Sequence, residues 1–182
     1  MDMKKILVVT TSPRLGGNSD KLAEAFIEGA KSEGNRIEKI DLRPLRIEPC
    51  IACDKCFSSG KPCILNDDMD KIYQAIDANE VIAFSMPLYY WNIPAKLKAA
   101  VDRFYALFSK GYPKRQAVLL ISAGDTAQDT FAIVDASWKK ILSHMGWELL
   151  GTVYAGNVND LGAVEKTAYL AEAKKLGSSI KG

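Results

Sequence analysis

Apolar and polar positions along the chain switch repeatedly between two periods. Residues 4–12, "KKILVVTTS", are a short β-branched apolar run, the pattern of a parallel strand buried on both faces. Residues 19–34 change to a helical period, with Leu22, Ala23, Phe26, Ile27 and Ala30 on one face and Gly34 as the stop. Residues 36–42, "RIEKIDL", mix apolar and charged positions as a half-covered edge strand does. "DDMDKIYQAIDAN" opens on acids that suit the positive end of a helix dipole, and "EVIAFSM" predicts a third strand. A helix is expected to open at Pro94 and to carry Leu97, Val101, Phe104 and Phe108 inward. "QAVLLIS" predicts a fourth strand. Residues 129–145 then predict a helix burying Phe131, Val134, Trp138, Ile141 and Leu142. "WELLGTVYA" is the fifth strand, and residues 163–180 the closing helix.

Five strands alternating with helices imply a parallel α/β sheet covered on both faces, because right-handed crossovers return each helix to the sheet. Ligands of such sheets sit beyond the carboxyl ends of the strands, where the strand order reverses. The loops after strands one, three and four therefore carry the functional reading. The chain has 182 residues, 48% of them hydrophobic, enough for one core across residues 1–182. Its 24 basic and 22 acidic side chains leave a formal charge of +2, which gives no reason to expect a nucleic acid or an anionic membrane as partner. No apolar stretch approaches the roughly eighteen residues of a membrane span, and the N-terminus lacks a small-residue cleavage site. A cytoplasmic protein is the expectation.

The first loop, "TSPRLGGNSDK", sets Ser12, Arg14, Gly16, Gly17, Asn18 and Ser19 before a helix N-terminus, where unpaired backbone N–H groups attract an anion. A phosphate group fits there. The loop is neither a G-x-G-x-x-G dinucleotide fingerprint nor a G-K-S/T phosphate loop. After strand three, two prolines bracket Tyr89, Tyr90, Trp91 and Asn92, a stiff aromatic segment suited to lie against a planar heterocycle. After strand four, Ala123, Gly124, Asp125 and Thr126 are small or polar and allow close approach to the backbone. A receiver domain shares this sheet but needs acids after strand one and an aspartate after strand three, where this chain has Thr10, Thr11, Ser85 and Met86. Acyl transfer needs a base, and the one histidine, His144, falls near a helix end, where capping or packing explains it.

All four cysteines fall within "PCIACDKCFSSGKPC", in a loop at residues 49–66, spaced C-x2-C-x2-C-x6-C. Reducing conditions disfavour a disulfide framework. The first three match the C-x2-C-x2-C run of bacterial ferredoxins, and a turn at Gly60 can return Cys63 to them. Three readings stay open for Cys50, Cys53, Cys56 and Cys63: a [4Fe-4S] cluster, free thiols with a structural or substrate-facing role, and zinc.

Taken together, "SPRLGGNS", "MPLYYWNIPAKLKAAVDR" and "SAGD" resemble the flavodoxin-like NAD(P)H-dependent FMN reductase family, and more narrowly its iron-sulfur flavoprotein branch. The resemblance implies a doubly wound five-stranded parallel sheet of order 2-1-3-4-5. It implies FMN with its phosphate on Ser12, Arg14, Asn18 and Ser19, and its ring against Pro87, Leu88, Tyr89, Tyr90, Trp91 and Asn92, with Ala123, Gly124 and Asp125 on the other side. It further implies NAD(P)H as co-substrate, a small-molecule or protein electron acceptor, and a homodimer or homotetramer in which Tyr90, Trp91 and Phe57 find cover. The iron-sulfur branch carries a compact cysteine run followed by an acidic stretch, like Asn66, Asp67, Asp68 and Met69 here, and would make the protein an electron carrier. A flavin-binding redox sensor is a third reading. Many relatives have a second glycine where this chain has Asp125, and a carboxylate beside the ring would disfavour an anionic reduced flavin.

Overall fold

The computed structural model describes residues 3–60, 62–109, 111–126 and 129–181. Its strands are β1 (Lys5–Thr10), β2 (Arg36–Asp41), β3 (Val81–Pro87), β4 (Gln116–Ser122) and β5 (Glu148–Ala155). Its helices are α1 (Asn18–Ser32), α2 (Met69–Ala78), α3 (Ala95–Asp102), α4 (Tyr105–Phe108), α5 (Ala132–Met145) and α6 (Tyr169–Ser178). All strand pairs are parallel, in the order β2-β1-β3-β4-β5 expected of the flavodoxin-like fold.

The period of two along each strand divides the core into two layers. Ile6 and Val8 of β1 join Val81, Ala83, Val118 and Leu120 under α1 and α6. Leu7 and Val9 join Ile82, Phe84, Leu119 and Ile121 beneath α2, α3 and α5, where Trp138 packs its ring 4.7 Å from that of Phe84. The central strands β1, β3 and β4 are buried almost throughout, whereas β2, at the edge, is half-exposed as its mixed composition predicts. Helices α1 and α6 touch backbone to backbone: a Cβ on Gly29 would lie 2.0 Å from the Lys174 carbonyl oxygen, and one on Gly177 2.1 Å from that of Phe26.

Two helices differ from their periodic reading. The helix that opens after Pro94 ends at Asp102, turns through Arg103 and Phe104, and resumes as the single turn α4. Arg103 is drawn into the interior onto Asp67 at the break, and Phe108, expected inward, is exposed. The ring of Phe108 lies instead against Phe57 and Tyr112. The closing segment is a 3-10 turn (Ala163–Lys166) followed by α6, not one helix. Of the residues expected to be buried in α5 and just before it, Val134, Trp138 and Leu142 are, while Phe131 and Ile141 are only half-buried. Among the described residues, no helix is long and apolar enough to cross a membrane.

Candidate functional site: a cleft at the carboxyl ends of β1, β3 and β4

The chain leaves β1 toward β2 on one side and returns to β3 on the other, so the strand order reverses between β1 and β3. A cleft opens there, about 440 Å³ including its solvent-facing mouth. Its floor is the loop from β1 into α1. Thr11 anchors the loop by donating its backbone N–H and its hydroxyl to the Ser85 carbonyl, both at 3.1 Å. The Ser12 hydroxyl accepts from the Arg14 N–H and donates to the Arg14 carbonyl, each at 3.1 Å, and closes a tight turn. Gly17, at the N-cap of α1, fits under this turn only because it lacks a side chain: a Cβ would lie 2.8 Å from Ser12 Oγ.

Ser19 sits in the first turn of α1 and lines the cleft. It is 1% exposed, and its Oγ finds no hydrogen-bond partner among the described residues. Buried hydroxyls are normally satisfied, so an unfilled one beside unpaired helix N–H groups marks a place for an acceptor-rich ligand. A phosphate supplies such acceptors, and the residues present fit an FMN phosphate on this count. Arg14 lies at the rim, exposed, with Nη1 donating to the Asn159 carbonyl at 3.2 Å.

Arg43 braces the loop from outside. It donates to Asp20 (2.9 Å), Asp41 (2.7 Å) and the Arg14 carbonyl (3.0 Å). Burial pushes the Asp41 carboxyl up, but its hydrogen bonds with Arg43 outweigh that, and the net pKa is lowered. The same guanidinium neutralises Asp20, an acid in the turn that would otherwise repel an anion.

The walls are Pro87, Leu88 and Tyr89 on one side and Ser122, Ala123 and Gly124 on the other. The Leu88 N–H donates to the Ser122 carbonyl at 2.8 Å and ties the two walls together. Beyond Tyr89 the chain makes a two-residue hairpin, Tyr89 N to Asn92 O at 3.0 Å and Asn92 N to Tyr89 O at 3.1 Å. Tyr90 (φ 49°) and Trp91 (φ 58°) are both left-handed, a conformation bulky residues avoid. Neither is among the residues lining the cleft, and Tyr90 is 96% exposed and Trp91 52%.

Nine of the residues expected at this cleft therefore line it: Ser12, Arg14, Asn18, Ser19, Pro87, Leu88, Tyr89, Ala123 and Gly124. Four do not. Tyr90 and Trp91 form the hairpin tip, Asn92 closes it opposite Tyr89, and the Asp125 carboxylate accepts from Thr126 N (2.6 Å) and Thr130 Oγ1 (2.7 Å) in the loop leading toward α5. The side chain of Asn18 is committed elsewhere, donating to the Val158 and Asp160 carbonyls and accepting from Val164 N. Gly17, Ser122, Val158 and Asn159 complete the lining. The last two come from the loop after β5, whose turn-rich "GNVNDLG" was the signal for a fourth loop at this edge.

The four cysteines occupy a second pocket. They are free thiols, Cys50 and Cys53 exposed, Cys56 and Cys63 half-buried, and all four line one depression with Ile64, Arg103 and Tyr105. Burial pushes the Cys56 thiol up. Among the described residues no three of His, Cys, Asp or Glu gather about a single metal-ion position. A [4Fe-4S] cluster takes one thiolate per iron, so its donors surround a cavity instead of meeting at a point, and the placement of four thiols around one pocket fits that donor set.

Fold and cleft thus define a flavodoxin-like α/β protein with a cleft where its strand order reverses. Residues 4–160 match the NADPH-dependent FMN reductase family, and the chain belongs to it. An iron-sulfur flavoprotein of Methanosarcina thermophila is 35% identical over 114 residues, 63% of this chain and 59% of that protein. A putative NAD(P)H-dependent FMN-containing oxidoreductase of Bacillus subtilis is 25% identical over 82% of this chain and 83% of its own. The chain spans about half the length of several curated relatives, 59%, 44% and 51% for three iron-sulfur flavoproteins. In fold it is similar to an NAD(P)H:quinone oxidoreductase from Methanothermobacter marburgensis, with TM-score 0.80 and 22% identity over 100% of this chain and 98% of that one. An azoreductase from Bacillus anthracis aligns with TM-score 0.74 and 20% identity over 98% of this chain and 100% of that one.

Proposed function

We propose that the chain is an FMN-dependent oxidoreductase that takes electrons from NADH or NADPH and passes them to a flavin, a quinone or another acceptor. The observation that carries the reading is the buried Ser19 hydroxyl at the N-terminus of α1, which has no hydrogen-bond partner among the described residues and lines the cleft at the strand-order reversal. The Ser19 hydroxyl and the first-turn N–H groups of α1 would hold the phosphate, and Arg14 would cover it from the rim. Pro87, Leu88 and Tyr89 would lie against one side of the ring and Ala123 and Gly124 against the other. Bound FMN would supply the redox chemistry, accepting the two electrons of the reduced nicotinamide and releasing them to the acceptor. The protein's own task is to bind and orient, so no side-chain acid or base is required. The exposed Tyr90, Trp91 and Phe57 support assembly into a homodimer or homotetramer, and the four free thiols support a reducing cytoplasm as its setting.

A second reading is an electron carrier holding both FMN and a [4Fe-4S] cluster. The shared pocket of the four cysteines favours it, and the curated relatives named iron-sulfur flavoproteins give it precedent. Anaerobic purification followed by FMN and iron quantitation and NAD(P)H oxidation with a quinone tests both. Flavin with nicotinamide oxidation supports the first reading, and flavin with iron but no nicotinamide oxidation selects the second. A chain that neither carries nor takes up FMN refutes both.

A further inference from the structure

The cysteine pocket contains a charge that the FMN reading does not use. Arg103 is 2% exposed and lies at the break between α3 and α4. The interior is built around it. Its Nη1 donates to Asp67 Oδ2 at 2.5 Å and to the Glu48 carbonyl at 3.2 Å, and its own carbonyl accepts the Tyr73 hydroxyl at 2.9 Å.

The compensation is incomplete. Asp67 also accepts from the backbone N–H groups of Glu48 and Met69, so its charge is shared. Arg103 Nε and Nη2 are buried and have no hydrogen-bond partner among the described residues. A buried guanidinium with empty donors is costly unless something acidic or acceptor-rich fills them. Arg103 lines the same pocket as the four cysteines, and the Cys63 sulfur stands within hydrogen-bonding reach of the guanidinium, the nearest of the four thiols to act as its acceptor. The loop that lines this pocket with Arg103 carries two left-handed residues, Ala52 (φ 51°) and Asp54 (φ 53°), on either side of Cys53.

We propose that Arg103 is the buried counter-charge of this pocket, a positioning residue whose Nε and Nη2 donate to sulfur of a [4Fe-4S] cluster held by Cys50, Cys53, Cys56 and Cys63 and favour its reduced state. The proposal rests on the second functional reading. A cluster with four cysteinate ligands is anionic, and one-electron reduction adds a further negative charge, so a fixed cation nearby stabilises the reduced form more than the oxidised one. Asp67 opposes this partly, which gives the two residues opposite effects on the potential.

The test uses the full chain, reconstituted anaerobically with ferrous iron and sulfide, and reads iron content and the cluster's midpoint potential by titration with dithionite. R103M is expected to lower the ratio of reduced to oxidised cluster at a given poise about tenfold, a shift of about 59 mV for one electron. R103K, which keeps a charge but loses the planar fork, is expected between R103M and wild type. D67N is expected to move the potential the other way, which damage to folding would not do. If R103M does not fold, R103K and D67N still read the sign. Iron bound with potentials unchanged in folded variants overturns the proposal and leaves the cluster reading intact. Wild-type chain that takes up no iron overturns both, and the FMN reading stands or falls separately on its flavin content.

Discussion

Replacing Ser19 by alanine separates the demands of ligand binding from those of folding. In the ligand-free chain the Ser19 hydroxyl is buried with no partner among the described residues, an arrangement that costs about 1–3 kcal/mol. The Ser19 carbonyl accepts the Ser85 hydroxyl at 2.6 Å, a bond that alanine keeps, and alanine is the better helix former. The apo variant is therefore expected to be as stable as wild type or more stable. The holo side has the opposite sign. A hydrogen bond to a charged group contributes about 1.5–3 kcal/mol, so losing one to the phosphate should weaken FMN binding roughly 10- to 150-fold. Flavin fluorescence quenching on titration into apo-protein gives Kd, and urea unfolding of the same apo-protein gives stability. Unchanged FMN affinity, or an apo variant destabilised by more than about 1 kcal/mol, would refute the assignment of Ser19 as a phosphate donor.

Three other outcomes follow from the structure. Because the added Cβ of G177A would meet the Phe26 carbonyl oxygen on α1, that variant should lose about 1–3 kcal/mol by overpacking, read as a lower urea midpoint with FMN affinity retained. Exchanging the hairpin tip, Y90N with W91G, should remove the aromatic surface that assembly would cover, read as a shift toward monomer in sedimentation with the fold retained by circular dichroism; an unchanged oligomeric state would show that the tip is not at the interface. Hydrogen bonds depress the folded-state pKa values of Asp41 and Asp67 against the opposing effect of burial. Their contribution is thus fully present above the unfolded carboxylate value of about 3.9 and is lost as pH falls through the lower folded values. Acid titration followed by circular dichroism should show that loss below the ordinary carboxylate range, with a shallower dependence in D67N.

The sheet was legible because its signals are local and repeated. β1, β3 and β4 are uninterrupted apolar runs, and their parallel order follows from the helices between them. The break at Arg103 was not legible, since Leu97, Val101, Phe104 and Phe108 keep helical spacing across it. At the break Arg103 pairs with a buried partner, Asp67, 36 residues away in the chain. At the site, Ser12, Ser19 and Gly124 were readable from turn chemistry and strand ends. Asn18 was expected on the phosphate, yet its amide clasps the loop of residues 158–164, a contact across 140 or more positions that no local pattern encodes. The resemblance places Asp125 beside the ring, and in this structure its carboxylate accepts from two nearby threonines. Val158 and Asn159 belong to a fourth loop that ends at the same edge of the sheet and is marked in the sequence only by its turn-rich composition.

The most direct test of the central claim is titration of apo-protein, made by removing any flavin under mild denaturant and refolding, with FMN and with riboflavin, which lacks the phosphate. Stoichiometric uptake of FMN at micromolar concentration or below, with riboflavin bound much more weakly, is the predicted result. Equal affinity for the two, or no uptake of either by the folded chain, would contradict a phosphate cradle at the carboxyl ends of β1 and β3.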